Sequence, residues 1–101
     1  MGFTNKEALY FIKKIKLDMS SQLFSINDLT KGMNVELEHG KANSLTNVTN
    51  NDLMTTGKIA LAHLLEFPDY YSRLSILESN ADKYWQNKSK TKRRIYKLVR
   101  D

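Results

Sequence analysis

A chain of 101 residues, 41% hydrophobic and 27% charged, is enough for one modest globular domain and is unlike the composition of a disordered or fibrous chain. A domain this short buries roughly two thirds of its unfolded surface, which leaves little room for a deep water-free cavity and argues against chemistry on large substrates. The net charge of +5 is unevenly spread: residues 83–101 hold eight Lys or Arg against Asp101, giving +7, while residues 1–82 hold eight basic and ten acidic residues, giving −2.

Thr4 followed by Glu7 has the spacing of a capping box, and Ala8, Phe11, Ile12 and Ile15 then recur at helical intervals with lysines opposite, which predicts a first helix over 5–17. Ser25 and Asp28 open a second segment in the same way. Leu29, Met33 and Leu37 continue it as a stripe over 26–39, and Gly40 is suited to a left-handed C-cap. Lys41 to Asn51 is polar and asparagine-rich, and reads as a long loop ending at an N-cap near Asn51.

A third helix is predicted from Asp52 to Phe67, ended by Pro68, which cannot continue the hydrogen-bond ladder. It is apolar nearly all round and so is expected to be central. Asp69 then caps a fourth helix reaching about Trp85, in which Tyr70, Leu74, Leu77, Ala81 and Tyr84 alternate by four and three. The aromatic residues Tyr70, Tyr71, Tyr84 and Trp85 are read as core and core-rim packing. No alternating strand pattern and no internal repeat is present. The expected fold is an all-α, compact bundle of about four helices over residues 1–86, with a basic C-terminal arm over 87–101.

Cysteine is absent, which removes disulfides, thiolate metal sites and cysteine nucleophiles together. Met1 to Lys16 mixes lysines into its apolar residues where a signal peptide needs an unbroken apolar run, and the longest apolar stretch, Ile59 to Phe67, is too short to span a bilayer. The expected setting is therefore intracellular, not secreted and without a membrane partner. Met1-Gly2 suggests N-myristoylation, but Lys6 stands where Ser or Thr is required. Asn47-Val48-Thr49 and Asn87-Lys88-Ser89 match the glycosylation pattern, which carries no meaning without secretion.

The only two histidines each have a carboxylate three residues away: Glu36 with His39, and His63 with Glu66. On a helix such pairs share a face and can share a hydrogen bond, a proton or a metal ion. Glu36 falls near the centre of the Leu29–Met33–Leu37 stripe and needs a partner if buried, whereas Glu38 points to solvent. His63 is expected to be at least partly buried.

Two readings follow. One is a divalent transition-metal site made by Glu36, His39, His63 and Glu66, because Glu and His suit such ions and the E-x-x-H spacing occurs in carboxylate-bridged helical bundles. Too few further glutamates are at hand for a two-metal centre. His63 also lies about 18 Å along its helix, so a simple antiparallel hairpin would hold the couples apart unless the 41–51 loop offsets the helices. The other reading, which count and geometry favour, is a buried Glu–His hydrogen-bond network that fixes helix packing without a cofactor.

No serine stands in a nucleophile-elbow context, and no phosphate-cradling glycine loop or zincin motif occurs, so the chain is not expected to be an enzyme. In the arm, Lys88, Lys90, Lys92, Arg93, Arg94, Lys97 and Arg100 suit nucleic acid or another acidic partner.

The segments Gly32-Met33-Asn34-Val35-Glu36-Leu37-Glu38-His39-Gly40, Thr46-Asn47-Val48-Thr49-Asn50-Asn51-Asp52 and Thr56 to Leu74, which includes His63-Leu64-Leu65-Glu66-Phe67-Pro68-Asp69-Tyr70-Tyr71, closely resemble a small family known as a domain of unknown function, met in bacteria, phages and large DNA viruses. The resemblance covers roughly residues 24–78. It implies that Glu36, Glu38, His39, His63, Glu66, Asp69 and Tyr70 are marked positions, and it implies no activity. The basic segment after Lys83 lies outside it. Together with 21 Asn and Lys residues, a bias of AT-rich coding, the resemblance points to a viral or phage source. The functional expectation is a non-enzymatic accessory or binding protein, virion- or nucleoprotein-associated, whose arm meets nucleic acid or a viral structural protein; the alternative is a metal-binding helical domain.

Overall fold

The computed structural model describes residues 2–42 and 44–86. The fold is all-α. Among the described residues there are four α-helices, a single 3-10 turn at Met19–Ser21 and no strand. The helices are α1 (Asn5–Ile15), α2 (Ile26–Ala42), α3 (Leu53–Glu66) and α4 (Tyr70–Gln86). No helix of the described residues is long and apolar enough to cross a membrane. The predicted arm, with Lys88, Lys90, Lys92, Arg93, Arg94, Lys97 and Arg100, lies outside the described residues.

The chain divides into two compact units, Met1–Tyr71 and Ser72–Asp101. In the first, α1 packs on α2 and α3, and α2 packs on α3. Its core consists of Ala8, Phe11 and Ile12 from α1, Phe24 ahead of α2, Leu29, Met33 and Leu37 from α2, Ala60 and Leu64 from α3, and Tyr71. Phe11, Leu29, Met33 and Leu64 are almost completely removed from water. Each such side chain contributes about 2–3 kcal/mol of burial free energy. Gly57 lets Phe11 lie against the backbone of α3, since a Cβ there would stand 2.6 Å from Phe11 Cδ1. In the second unit, Tyr84 and Trp85 meet edge to face at 5.1 Å.

Local signals explain the boundaries. The Thr4–Glu7 capping box forms: Glu7 N–H donates to Thr4 Oγ1 and Thr4 N–H to Glu7 Oε1. Ser25 and Asp28 make the same reciprocal pair at the start of α2. The first helix ends two residues earlier than predicted, because Lys16 takes the left-handed conformation at φ 61° and its N–H turns back to the carbonyls of Ile12 and Lys13. Phe67 is extended, as a residue before proline tends to be, and it closes α3 at Pro68.

Two expectations are corrected and a third is made definite. Gly40 does not cap α2; it is helical, buried and followed by Lys41 and Ala42 in the same helix, and no glycine of the described residues has positive φ. Its role is close approach, because a Cβ would stand 2.6 Å from Thr49 Oγ1 and 2.7 Å from Asn47 Oδ1. The N-cap expected near Asn51 is Asp52. Asn50 and Asn51 both turn left-handed, at φ 48° and 64°, which asparagine tolerates well, and Asp52 takes the cap by accepting the Thr55 N–H at 2.8 Å. On α4 the buried residue is Tyr71 rather than a member of the predicted stripe, and Leu77 and Tyr84 of that stripe are more than half exposed.

Candidate functional site

The loop between α2 and α3 is organised by one asparagine. Asn47 Oδ1 accepts from the N–H of Thr49 at 3.2 Å, the Thr49 hydroxyl at 3.1 Å and the N–H of Asn50 at 3.0 Å. A side chain that gathers its own downstream backbone in this way makes a tight polar turn. Thr49 is buried and Asp52 N–H returns to its carbonyl at 2.8 Å, so the loop is fastened just where it enters α3. The glycosylation-like triplet Asn47-Val48-Thr49 is thus a turn motif.

This fastening sets the register of the α2–α3 hairpin. Thr49 sits against Gly40, Ile59 lines a pocket with Gly40 and His39, and one turn further along both helices His63 meets Glu36. A simple hairpin is expected to hold the two acid–histidine couples apart unless the loop offsets the helices; His63 reaches the first couple, and its own partner Glu66 does not. The loop offsets the helices, and both imidazoles converge on Glu36: His63 Nε2 lies 3.8 Å from Oε2 and His39 Nδ1 lies 3.9 Å from Oε1. Both distances exceed hydrogen-bonding range, so the expected Glu–His hydrogen-bond network is corrected: the imidazoles flank the carboxylate, as ion-pair partners only when protonated, and the hydrogen bond comes from elsewhere. The Glu36 side chain is 12% exposed, that of His63 31% and that of His39 47%. Glu36 and His63 are at least half buried, as expected; Glu38 is exposed, as expected, and so is Glu66.

The direct partner of Glu36 is Tyr71, whose hydroxyl donates to Oε2 at 2.8 Å. Burial, and then this carboxylate, push the Tyr71 phenol well above its ordinary value. The turn at Phe67-Pro68-Asp69, closed by Tyr70 N–H onto the Phe67 carbonyl at 3.0 Å, brings two successive tyrosines back over α3. Tyr70 stacks on the His63 ring at 4.2 Å with an interplanar angle of 5°, while Tyr71 meets His63 edge-on at 6.2 Å and 86°. The His63 ring is thereby oriented toward Glu36 by aromatic contacts.

Of the sequence-predicted metal set, Glu36, His39 and His63 come together and Glu66 does not join them through any contact described. Among the described residues no three His, Asp or Glu side chains are grouped so as to hold a metal ion. Beside the cluster lies a pocket of about 270 Å³ lined by Glu36, His39, Gly40, Thr46, Val48, Thr49 and Ile59. Tyr71, Asn47 and Thr49 are residues that spacing arguments left out. The signal for them was present in the Thr46–Asp52 and Pro68–Tyr71 segments, which belong to the resemblance but lack any periodic pattern.

The chain belongs to the family described as Protein of unknown function (DUF5661), whose family model matches residues 8–80. The match takes in the whole Glu36–His39–His63–Tyr71 cluster and stops short of the basic segment. No curated protein and no solved structure matches the chain.

Proposed function

We propose that this protein is a non-enzymatic accessory protein that binds a polyanion, with nucleic acid in a virion or nucleoprotein setting as its target. The observation that carries the reading is the charge division of the sequence, −2 over residues 1–82 and +7 over residues 83–101. The family match ends at residue 80, so the basic segment lies outside the part of the chain that the family model describes. Lys88, Lys90, Lys92, Arg93, Arg94, Lys97 and Arg100 supply up to seven phosphate contacts, and Tyr96 adds a ring on which a base can stack. In this reading the Glu36 cluster serves the body: its carboxylate is held by Tyr71 and flanked by two imidazoles, an arrangement that fixes helix packing without a reacting partner. The test is retardation of a single-stranded oligonucleotide at about 50 mM salt, where phosphate contacts are strong. The full chain should bind and a chain lacking 87–101 should not, with its helical spectrum kept.

A second reading, a metal-binding helical domain, starts from the convergence of His39 and His63 on Glu36; these three are not grouped as a ligand set as they stand, so a metal would have to draw them together. Metal analysis of protein purified without a histidine tag separates the two. Under the metal reading, stoichiometric zinc, iron or manganese is found and chelator lowers the melting temperature of wild type but not of His63→Ala.

A further inference from the structure

The pocket next to Glu36 presents hydrogen-bond acceptors of one kind of chemistry. Glu36 brings a carboxylate whose Oε2 is engaged by Tyr71 and whose Oε1 lies toward His39, another residue of the pocket wall. Thr49 brings a hydroxyl that spends its proton on Asn47 Oδ1, which leaves its oxygen lone pairs as acceptors. Val48 and Ile59 supply apolar wall, and among the described residues the lining includes no lysine or arginine. A carboxylate that is 12% exposed and, among the described residues, accepts one hydrogen bond, at 2.8 Å, with its two flanking imidazoles beyond hydrogen-bonding range, retains room for N–H donors and positive charge. The volume of about 270 Å³ falls just below the usual range of ligand sites. It suits a headgroup with a short alkyl chain and excludes nucleotides and larger cofactors.

We propose that this pocket is a binding site for a small primary alkylammonium ion, its nitrogen donating to Glu36 and Thr49 and its chain lying along Val48 and Ile59. Gly40 is what allows the site, because a side chain there would collide with Thr49 and Asn47 and push the loop off the helix. The same ammonium group is carried by free amines and by lysine side chains, so two probes are needed.

The experiment titrates n-butylammonium, and separately Nα-acetyl-lysine-N-methylamide, into the full chain while amide chemical shifts are recorded at constant ionic strength. The expected result is saturable shifts at the amides of Gly40, Val48 and Thr49 with butylammonium. If the blocked lysine saturates the same amides, the site also takes lysine side chains; if it leaves them unmoved, the site takes free amines. Glu36→Gln keeps the shape and an acceptor for Tyr71 and should weaken binding about tenfold or more, the loss of one charge-assisted bond. Val48→Trp, at a residue that is 69% exposed, should block the mouth without disturbing the core. Shifts that are unsaturable, that spread over the surface, or that survive in both variants would overturn the proposal, as would no shift at all with either probe.

Discussion

The Tyr71 hydroxyl donates a 2.8 Å hydrogen bond to Glu36 Oε2 across 35 residues of sequence, and this bond joins the start of α4 to the middle of α2. Both groups are largely withdrawn from water, so neither can exchange its partner for solvent cheaply. Tyr71→Phe keeps the ring and removes the bond, and should destabilise the fold by about 1–3 kcal/mol as measured by denaturant midpoint. The same variant should change the alkaline limb of stability. The unfolded phenol ionises near its ordinary value of 10.0, whereas the folded one is held protonated by burial and by Glu36. Its contribution is therefore fully present below about pH 10 and is lost as the pH rises further. Wild type should lose more stability than Tyr71→Phe between pH 9 and 11. Parallel curves would show that Tyr71 ionises freely in the folded state.

Gly32 lies directly under the Tyr71 ring, and a Cβ there would overlap it. Gly32→Ala gains about 1 kcal/mol of helix propensity but forces a buried ring to move, at about 1–3 kcal/mol. The expected net effect is a lower melting temperature. A raised one would mean that the ring yields easily and that its position over Glu36 is not tightly held.

The two histidines should separate on mutation. His63 is stacked on Tyr70 and two-thirds buried, so His63→Ala should cost about 1–3 kcal/mol through lost packing and ring contacts. His39, nearly half exposed, should cost under about 0.5 kcal/mol on replacement by alanine. Equal losses in thermal denaturation would contradict the assignment of His63, rather than His39, to the structural network.

Periodicity carried much of this fold. The apolar stripes of α1 and α2 and the proline after α3 are strong local signals, and Glu36 was legible as a buried carboxylate because it falls on a stripe of leucine and methionine. What periodicity could not reach depends on long-range geometry. The offset of α2 against α3 is made by Asn47, Thr49 and the paired left-handed Asn50 and Asn51, whose side-chain turns leave no trace in hydropathy. Gly40 reads as a cap in sequence because a glycine near a helix end usually is one; here the loop's approach, not backbone conformation, demands it. Tyr71 is legible in sequence only as one of an aromatic cluster expected in the core or at its rim, because the four-and-three spacing of α4 selects Tyr70, while the turn at Pro68 rotates the following tyrosine into the core.

The salt dependence of nucleic-acid binding tests the central claim most directly. Binding of the full chain to a single-stranded oligonucleotide, followed by fluorescence anisotropy from about 50 to 200 mM salt, should weaken with a log–log slope of about −4 to −5 if all seven arm cations meet phosphate, at roughly −0.7 per contact. Neutralising Lys92, Arg93 and Arg94 to glutamine should lower that slope by about two. No binding at 50 mM salt, or binding equally strong in a chain ending at residue 86, would contradict the account and turn attention to a protein partner.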